Sequence, residues 1–176
     1  MPPDFAKSTL VLGGARSGKS RFAQDQAEQA PGELVFIATA QAHDAELRER
    51  ISQHRRARGP RWRTVEAPLA LAAAIGRQSA PGNVVLVDCL TLWASNLMLA
   101  ERDITDAIAA ITMAISAAPG RIILVSNEVG LGIVPANALA RRFRDVAGSI
   151  NQAVAKTVDT AVFVAAGLPI VLKPQR

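Results

Sequence analysis

The chain has 176 residues, 49% of them hydrophobic and 20% charged, with a formal net charge of +5. These values fit one folded domain over residues 1–176 and exclude a disordered chain; no apolar run approaches the roughly 18–20 residues of a membrane span, Met1 to Ser8 hold no apolar core of a signal peptide, and the single cysteine, Cys89, excludes an intrachain disulfide. The basic balance, with a pI of about 10.3, suits phosphate-rich ligands, while the absence of Tyr removes most of the stacking surface of a single-strand nucleic-acid binder; a cytoplasmic protein acting on anionic small molecules is the expectation.

Strand and helix patterns alternate along the chain. Ser8–Leu12 is an apolar strand that enters a glycine loop. Lys19–Gln29 reads as the helix after it, stopped by Pro31-Gly32. Leu34–Ala38 is a buried-type strand. Residues from about His43 to Arg58 carry no Gly or Pro and read as a helix, ended by Gly59-Pro60. Trp62–Val65 is a short strand and Leu69–Gln78 a helix. Val84–Val87 is a further apolar run closed by Asp88. Leu92–Ala100 and Thr105–Ala118 read as helices, Ile122–Val125 as a strand, and Asn127–Pro135 as a glycine-bearing loop. Asn137–Thr157 is a long helix with a polar face. Ala161–Ala165 and Ile170–Leu172 are two last strands around Gly167-Leu168-Pro169, which can form a hairpin. Continuous apolar strands separated by helices predict an α/β fold: a mostly parallel central sheet flanked by helices, with a C-terminal antiparallel edge. No linker, repeat or low-complexity segment divides the chain.

The residues Gly13, Gly14, Ala15, Arg16, Ser17, Gly18, Lys19 and Ser20 spell G-x-x-x-x-G-K-S between a strand and a helix, the signature of a P-loop NTPase (RecA-like) fold. Glycines let the backbone curl so that successive N–H groups point at phosphate oxygens. The helix that follows adds its positive dipole end. Lys19 can reach the β- and γ-phosphates as a point charge, and the Ser20 hydroxyl is placed to ligate Mg²⁺. A chance glycine turn is the bland alternative, and the strand–loop–helix context weighs against it. Asp88, at the end of an apolar strand, is a second candidate Mg²⁺ ligand, or else the N-cap of the next helix.

His54 shares a face with Leu47, Ile51 and Arg58 if residues 43–58 are helical. Acids gather early on that segment (Asp44, Glu46, Glu49) and arginines late (Arg55, Arg56, Arg58), which complements a helix dipole. On spacing alone, a solvated, dipole-matched helix accounts for these residues. A neutral imidazole could instead attack phosphorus and hold a nucleotidyl group, with the arginines clamping phosphate and favouring the neutral ring.

The ordered segments of the chain resemble a known family. GGARSGKSRFA (Gly13–Ala23), FIATAQ (Phe36–Gln41), RISQHRRARG (Arg50–Gly59) and WRTVEAP (Trp62–Pro68) are followed by VDCLTLWASNL (Val87–Leu97), SNEVGLGIVP (Ser126–Pro135), RRFRDVAGSINQAVA (Arg141–Ala155) and GLPIVLK (Gly167–Lys173). Together they resemble the bifunctional adenosylcobinamide kinase / adenosylcobinamide-phosphate guanylyltransferase family of cobalamin biosynthesis. The resemblance implies two reactions. The first moves the γ-phosphoryl group of ATP or GTP to the aminopropanol hydroxyl of adenosylcobinamide. The second moves GMP from GTP to adenosylcobinamide phosphate, through a guanylyl-histidine that falls here on His54.

The same resemblance implies nucleotide contacts from Thr39, Ala40 and Gln41, from Arg55, Arg56, Ala57 and Arg58, and from Glu66 as an acceptor for guanine. It implies a carboxylate at Asp88, where some members carry Glu, and a homotrimer. Residue 53 is Gln where some relatives have a second histidine; His43 is given no catalytic role. Asn127-Glu128-Val129-Gly130 stays open between a structural loop and a part in the corrinoid pocket or subunit packing. The alternatives are a monofunctional P-loop kinase and an NTP-dependent nucleic-acid-binding module; the reading adopted expects no nucleic-acid partner.

Overall fold

The computed structural model describes residues 6–41 and 58–174. Seven strands form one sheet: β1 (Ser8–Gly13), β2 (Leu34–Ala38), β3 (Trp62–Glu66), β4 (Val84–Asp88), β5 (Arg121–Asn127), β6 (Thr160–Ala165) and β7 (Leu168–Lys173), in the spatial order β3-β2-β4-β5-β1-β6-β7. The first six are parallel and β7 returns antiparallel to β6. The α/β reading, its mostly parallel sheet and its antiparallel C-terminal edge are thus observed. The helix expected over 43–58 falls mainly outside the described residues.

Side-chain alternation builds two cores. Leu10, Val35, Ile37, Val85, Val87, Ile122 and Leu124 point to one face. There they meet α2 (Leu71–Gln78), α3 (Leu90–Leu99), α4 (Ile104–Ala117) and α5 (Ala138–Thr157), through residues such as Ile75, Trp93, Ile111 and Ile150. Val11, Leu34, Phe36, Leu86, Ile123 and Val164 point to the other face, where α1 (Lys19–Glu28) lies on them through Ala23 and Ala27. The small alanines let α1 approach the sheet closely, and that approach aims its first turn at the glycine loop. Each fully buried aliphatic side chain contributes roughly 1.5–3 kcal/mol. A Leu124→Ala change, at a fully buried position of a central strand, is expected to cost about 2–5 kcal/mol.

Several element ends differ from the sequence reading by one or two residues, and three of them have a visible local cause. α2 begins at Leu71, not Leu69. The Pro68 carbonyl accepts from Asn96 Nδ2 at 3.0 Å and the Leu69 carbonyl from Trp93 Nε1 at 3.0 Å, so both face α3 instead of starting a helix. α3 begins at Leu90, not Leu92, because Cys89 occupies its N-cap and its Sγ accepts from Leu92 N at 3.5 Å. Asp88 is therefore not that helix's cap. β7 starts at Leu168 and absorbs Pro169, which an edge strand tolerates. The hairpin turn is only Ala166-Gly167, both at positive φ (51° and 79°), the two-residue turn whose twist matches the strands.

Candidate functional site

The strand register gathers the polar candidates on one edge. Across adjacent strands, Glu66 pairs with Ala38, Ala38 with Asp88, and Gly13 with Asn127 on the strand between β4 and β1. Glu66, Thr39, Asp88, Asn127 and the glycine loop all stand at the carboxyl ends of parallel strands, where ligands bind in open α/β sheets. A cavity of about 300 Å³ lined by Lys7, Pro31, Asn83 and Arg121 lies at the opposite, amino end. It holds none of these residues.

The glycine loop runs from the end of β1 into the first turn of α1. Gly18 is the N-cap, at φ 92°, a left-handed conformation that glycine adopts without a Cβ penalty. Arg16 takes φ 55° at a cost of roughly 1–2 kcal/mol. Such left-handed residues turn consecutive N–H groups inward to make an anion-binding concavity. Lys19 is buried, and its Nζ donates to the Gly14 carbonyl at 3.2 Å, so the ammonium is folded over the loop. Ser20 is exposed one residue into the helix.

Two distant segments hold this loop. The Glu128 N–H donates to the Gly13 carbonyl at 3.1 Å, and the Gly167 N–H, in the β6–β7 turn, donates to the Ser17 carbonyl at 2.8 Å. A Cβ on Gly13 would lie 2.4 Å from Ser17 Oγ and 2.6 Å from the Val164 carbonyl. The first loop position therefore admits no side chain unless its neighbours move.

Thr39 is fully buried and its hydroxyl is occupied. Oγ1 donates to the Cys89 carbonyl at 2.7 Å and accepts from the Cys89 N–H at 2.9 Å, tying the end of β2 to the end of β4. Its carbonyl accepts from Asn96 Nδ2 at 2.8 Å. Ala40 and Gln41 follow at the edge, both half-buried. Burial, and next the neighbouring Asp88 carboxylate, push the Cys89 thiol up, so it stays neutral beside the candidate metal position. Arg58 stands on the sheet face that α1 covers, its guanidinium 3.2 Å from the Phe36 ring centroid and Nη1 3.5 Å from Thr64 Oγ1. His54, Arg55, Arg56 and Ala57 lie outside the described residues, as does His43.

A buried polar network sits behind the edge. The Asn127 N–H donates to Thr91 Oγ1 at 2.7 Å, and Ser126 Oγ donates to Asn151 Oδ1 at 2.6 Å. Asn151 Nδ2 donates in turn to the Asn127 carbonyl at 3.2 Å. Sequence reasoning left this segment unassigned. Its only sequence signal was polar residues closing an apolar strand, and its partners lie on α3 and α5. Among the described residues, Ser17 Oγ and Asn127 Oδ1 are buried with no hydrogen-bond partner. Such an atom costs on the order of 1–3 kcal/mol, and both flank Gly13.

The sequence matches the family described as cobinamide kinase / cobinamide phosphate guanyltransferase over residues 9–172. The chain belongs to this family. It is 48% identical to the bifunctional adenosylcobalamin biosynthesis protein CobP of Pseudomonas aeruginosa, over 93% of this chain and 96% of that protein. It is 40% identical to the bifunctional protein CobU of Salmonella typhimurium, over 93% of this chain and 98% of the relative. Among solved structures, an ATPase from a type III secretion system aligns with a TM-score of 0.54 at 13% identity, covering 94% of this chain and 57% of that one. Protein PH0250 from Pyrococcus horikoshii aligns with a TM-score of 0.53 at 9% identity, covering 97% and 88%. These two likenesses concern the fold alone, a mostly parallel sheet flanked by helices with the Gly13–Ser20 loop between its first strand and first helix. Membership of the cobinamide kinase / guanyltransferase family makes the chain a nucleotide-binding enzyme acting on cobinamide substrates. No helix among the described residues is long and apolar enough to cross a membrane.

Proposed function

We propose that the protein works as one domain carrying out both reactions of its family at the carboxyl edge. It phosphorylates adenosylcobinamide with ATP or GTP, then transfers GMP from GTP to adenosylcobinamide phosphate to give adenosylcobinamide-GDP. The observation that carries this reading is the shared edge: in a chain of this family, the Gly13–Ser20 loop, Asp88 and Glu66 end strands of one sheet.

In the first reaction the loop amides and Lys19 hold the phosphates and stabilise charge on the transferring group. Among the described residues no three His, Cys, Asp or Glu side chains cluster as a metal cage. Mg²⁺ does not need one, since it is usually held by one or two protein oxygens with substrate phosphates completing the shell. The Ser20 hydroxyl and Asp88 carboxylate are oxygen donors of that kind and would hold the ion. When bound it neutralises phosphate charge.

In the second reaction a neutral His54 nitrogen attacks the α-phosphorus of GTP and pyrophosphate leaves. An oxygen of adenosylcobinamide phosphate then displaces the imidazole from the same phosphorus. Thr39 to Gln41, Arg55 to Arg58 and Glu66 are the proposed nucleotide contacts. Thr39 would serve by shaping the edge, because it is fully buried with its hydroxyl committed to Cys89, its N–H to the Asp88 carbonyl and its carbonyl to Asn96. A homotrimer in the cytoplasm completes the proposal.

Incubation with α-labelled GTP tests it. The wild type should take up acid-labile, base-stable label and release it to adenosylcobinamide phosphate. His54→Ala labelling as strongly as wild type would sink the histidine assignment. Kinase activity without any covalent label would leave a monofunctional kinase. Lys19→Ala should lower both activities, by roughly 10–100-fold for a lost charge-assisted contact.

A further inference from the structure

We propose that Glu128 is the catalytic base of the phosphorylation step, and of that step alone: its carboxylate takes the proton of the alcohol that attacks the γ-phosphorus. The inference rests on the reading of the carboxyl edge as the site of both reactions.

The chemistry sets the demand. The kinase acceptor is an alcohol, which must lose its proton as its oxygen bonds to phosphorus. The guanylyl steps ask for nothing of the kind. A neutral imidazole nitrogen attacks through its lone pair, and the acceptor is already an ionised phosphate oxygen. A kinase that shares its site with a guanylyltransferase therefore has this proton to remove in one reaction only. A carboxylate near the γ end of the nucleotide suits that task.

Position selects the carboxylate. Among the described residues, Glu66 ends β3, Asp88 ends β4 and Glu128 directly follows β5 at this edge. In the order β3-β2-β4-β5-β1, with neighbouring strands about 4.8 Å apart, Glu66 is roughly 19 Å from the strand that enters the phosphate loop and Asp88 roughly 10 Å. Glu128 adjoins the loop: its N–H donates to the carbonyl of Gly13, the first loop residue, at 3.1 Å. With Asp88 assigned to the cation and Glu66 to guanine, Glu128 is the carboxylate that the two reactions have not yet used.

The local geometry suits a base. Glu128 is half-buried. Its Oε1 accepts from the Gly130 N–H at 2.6 Å, and no cation among the described residues pairs with it. Clasping that N–H needs no acid, since an amide oxygen would accept it too. What a carboxylate adds is basicity. The turn is shaped around the group: a Cβ on Gly130 would lie 2.8 Å from Oε1. The loop then exposes Leu131 and Ile133 almost completely, an apolar rim that suits a bulky macrocycle carrying its alcohol on an arm.

In the step itself, the alcohol oxygen bonds to the γ-phosphorus while the bond from that phosphorus to the β,γ-bridging oxygen breaks. The electron pair leaves with the nucleoside diphosphate. The alcohol proton moves to a carboxylate oxygen of Glu128 and passes to solvent when the products leave.

The test measures the two reactions separately in the wild type, Glu128→Gln, Glu128→Asp and Gly130→Ala. One assay follows phosphorylation of adenosylcobinamide, the other GMP transfer from GTP to adenosylcobinamide phosphate supplied ready-made. Glu128→Gln keeps the side-chain shape and an acceptor for Gly130, yet its kcat for phosphorylation should fall about 100-fold or more. Its KM values and its GMP transfer should stay near those of the wild type. Glu128→Asp should recover part of the lost kcat. Gly130→Ala, whose methyl group displaces the carboxylate, should slow phosphorylation and spare GMP transfer. Wild-type phosphorylation by Glu128→Gln overturns the proposal. So does a loss carried by KM alone, which marks a binding role, and so does an equal loss of both reactions, which marks a residue that only holds its loop. Those outcomes appear in the variants while the wild type performs both reactions. A wild type that transfers GMP but phosphorylates nothing refutes the kinase reading, and this proposal with it.

Discussion

Thr39 and Glu28 show how single side chains on the nucleotide edge and behind it are spent. The Thr39 hydroxyl closes two buried hydrogen bonds with the Cys89 backbone. Thr39→Val would leave the buried Cys89 N–H unsatisfied and its carbonyl with only the Trp93 N–H at 3.3 Å. Unfolding experiments should find it about 2 kcal/mol less stable, with a melting point lower by roughly 4–8 °C. Glu28 accepts from Trp62 Nε1 at 2.9 Å and Gln24 Nε2 at 2.8 Å, and these bonds, the Trp62 one first, hold its carboxyl below the usual range. A lowered folded-state value means that its stabilisation is whole above the unfolded carboxyl range. It is lost as pH falls through the lowered value. The melting-point gap between wild type and Glu28→Gln should therefore be largest near neutrality, small because the site is exposed, and should close in acid. At this scale the phosphate loop was legible because its chemistry is local: eight consecutive residues and their spacing. The buried network around Asn127 was not, because its partners Thr91 and Asn151 are brought to it only by folding.

Elements were legible wherever burial is two-sided. The runs 84–87 and 122–125 have no polar interruption, and only a central parallel strand buries both faces of such a run. Ends were less legible, because tertiary hydrogen bonds decide them. The C-terminus of α5 is an instance. Lys173, on the edge strand β7, donates from Nζ to the carbonyls of Ala155 and Lys156 at 3.0 Å each and also to that of Val158. Nothing in the helix's own sequence announces a cap supplied from the next strand but one. A cation there satisfies orphan carbonyls and opposes the negative end of the helix dipole. Lys173→Met should cost about 1 kcal/mol, measurable as a melting point lower by roughly 2–4 °C. Lys173→Arg should recover part of it.

At the scale of the molecule, strand order follows from chain order only through packing, so the central place of β1, between β5 and β6, was outside the reach of local patterns. The antiparallel edge was within reach, since Gly167 announces the turn. That edge is also the most apolar exposed strand: Leu168, Ile170, Val171 and Leu172 are each more than half exposed. Sedimentation should find about three times the chain mass of 18.6 kDa if the proposed trimer forms. A monomer at micromolar concentration would refute it. The turn of the same hairpin holds the phosphate loop through Gly167 and Ser17. Gly167→Val forces a branched side chain into φ 79° at a cost of roughly 1–2 kcal/mol. Triphosphate binding, read by calorimetry, should weaken about tenfold if that strain is released by opening the turn.

The bond between Gly167 and Ser17 joins residues nearly a whole chain length apart. Contacts of such separation carry the largest loop-closure cost and form slowly. On a ribosome, the first five strands, the loop and all five described helices emerge before the hairpin that clamps the loop exists. The clamp on the phosphate loop is therefore acquired late. A nascent chain can thus assemble five of its seven described strands while its phosphate loop is still unclamped.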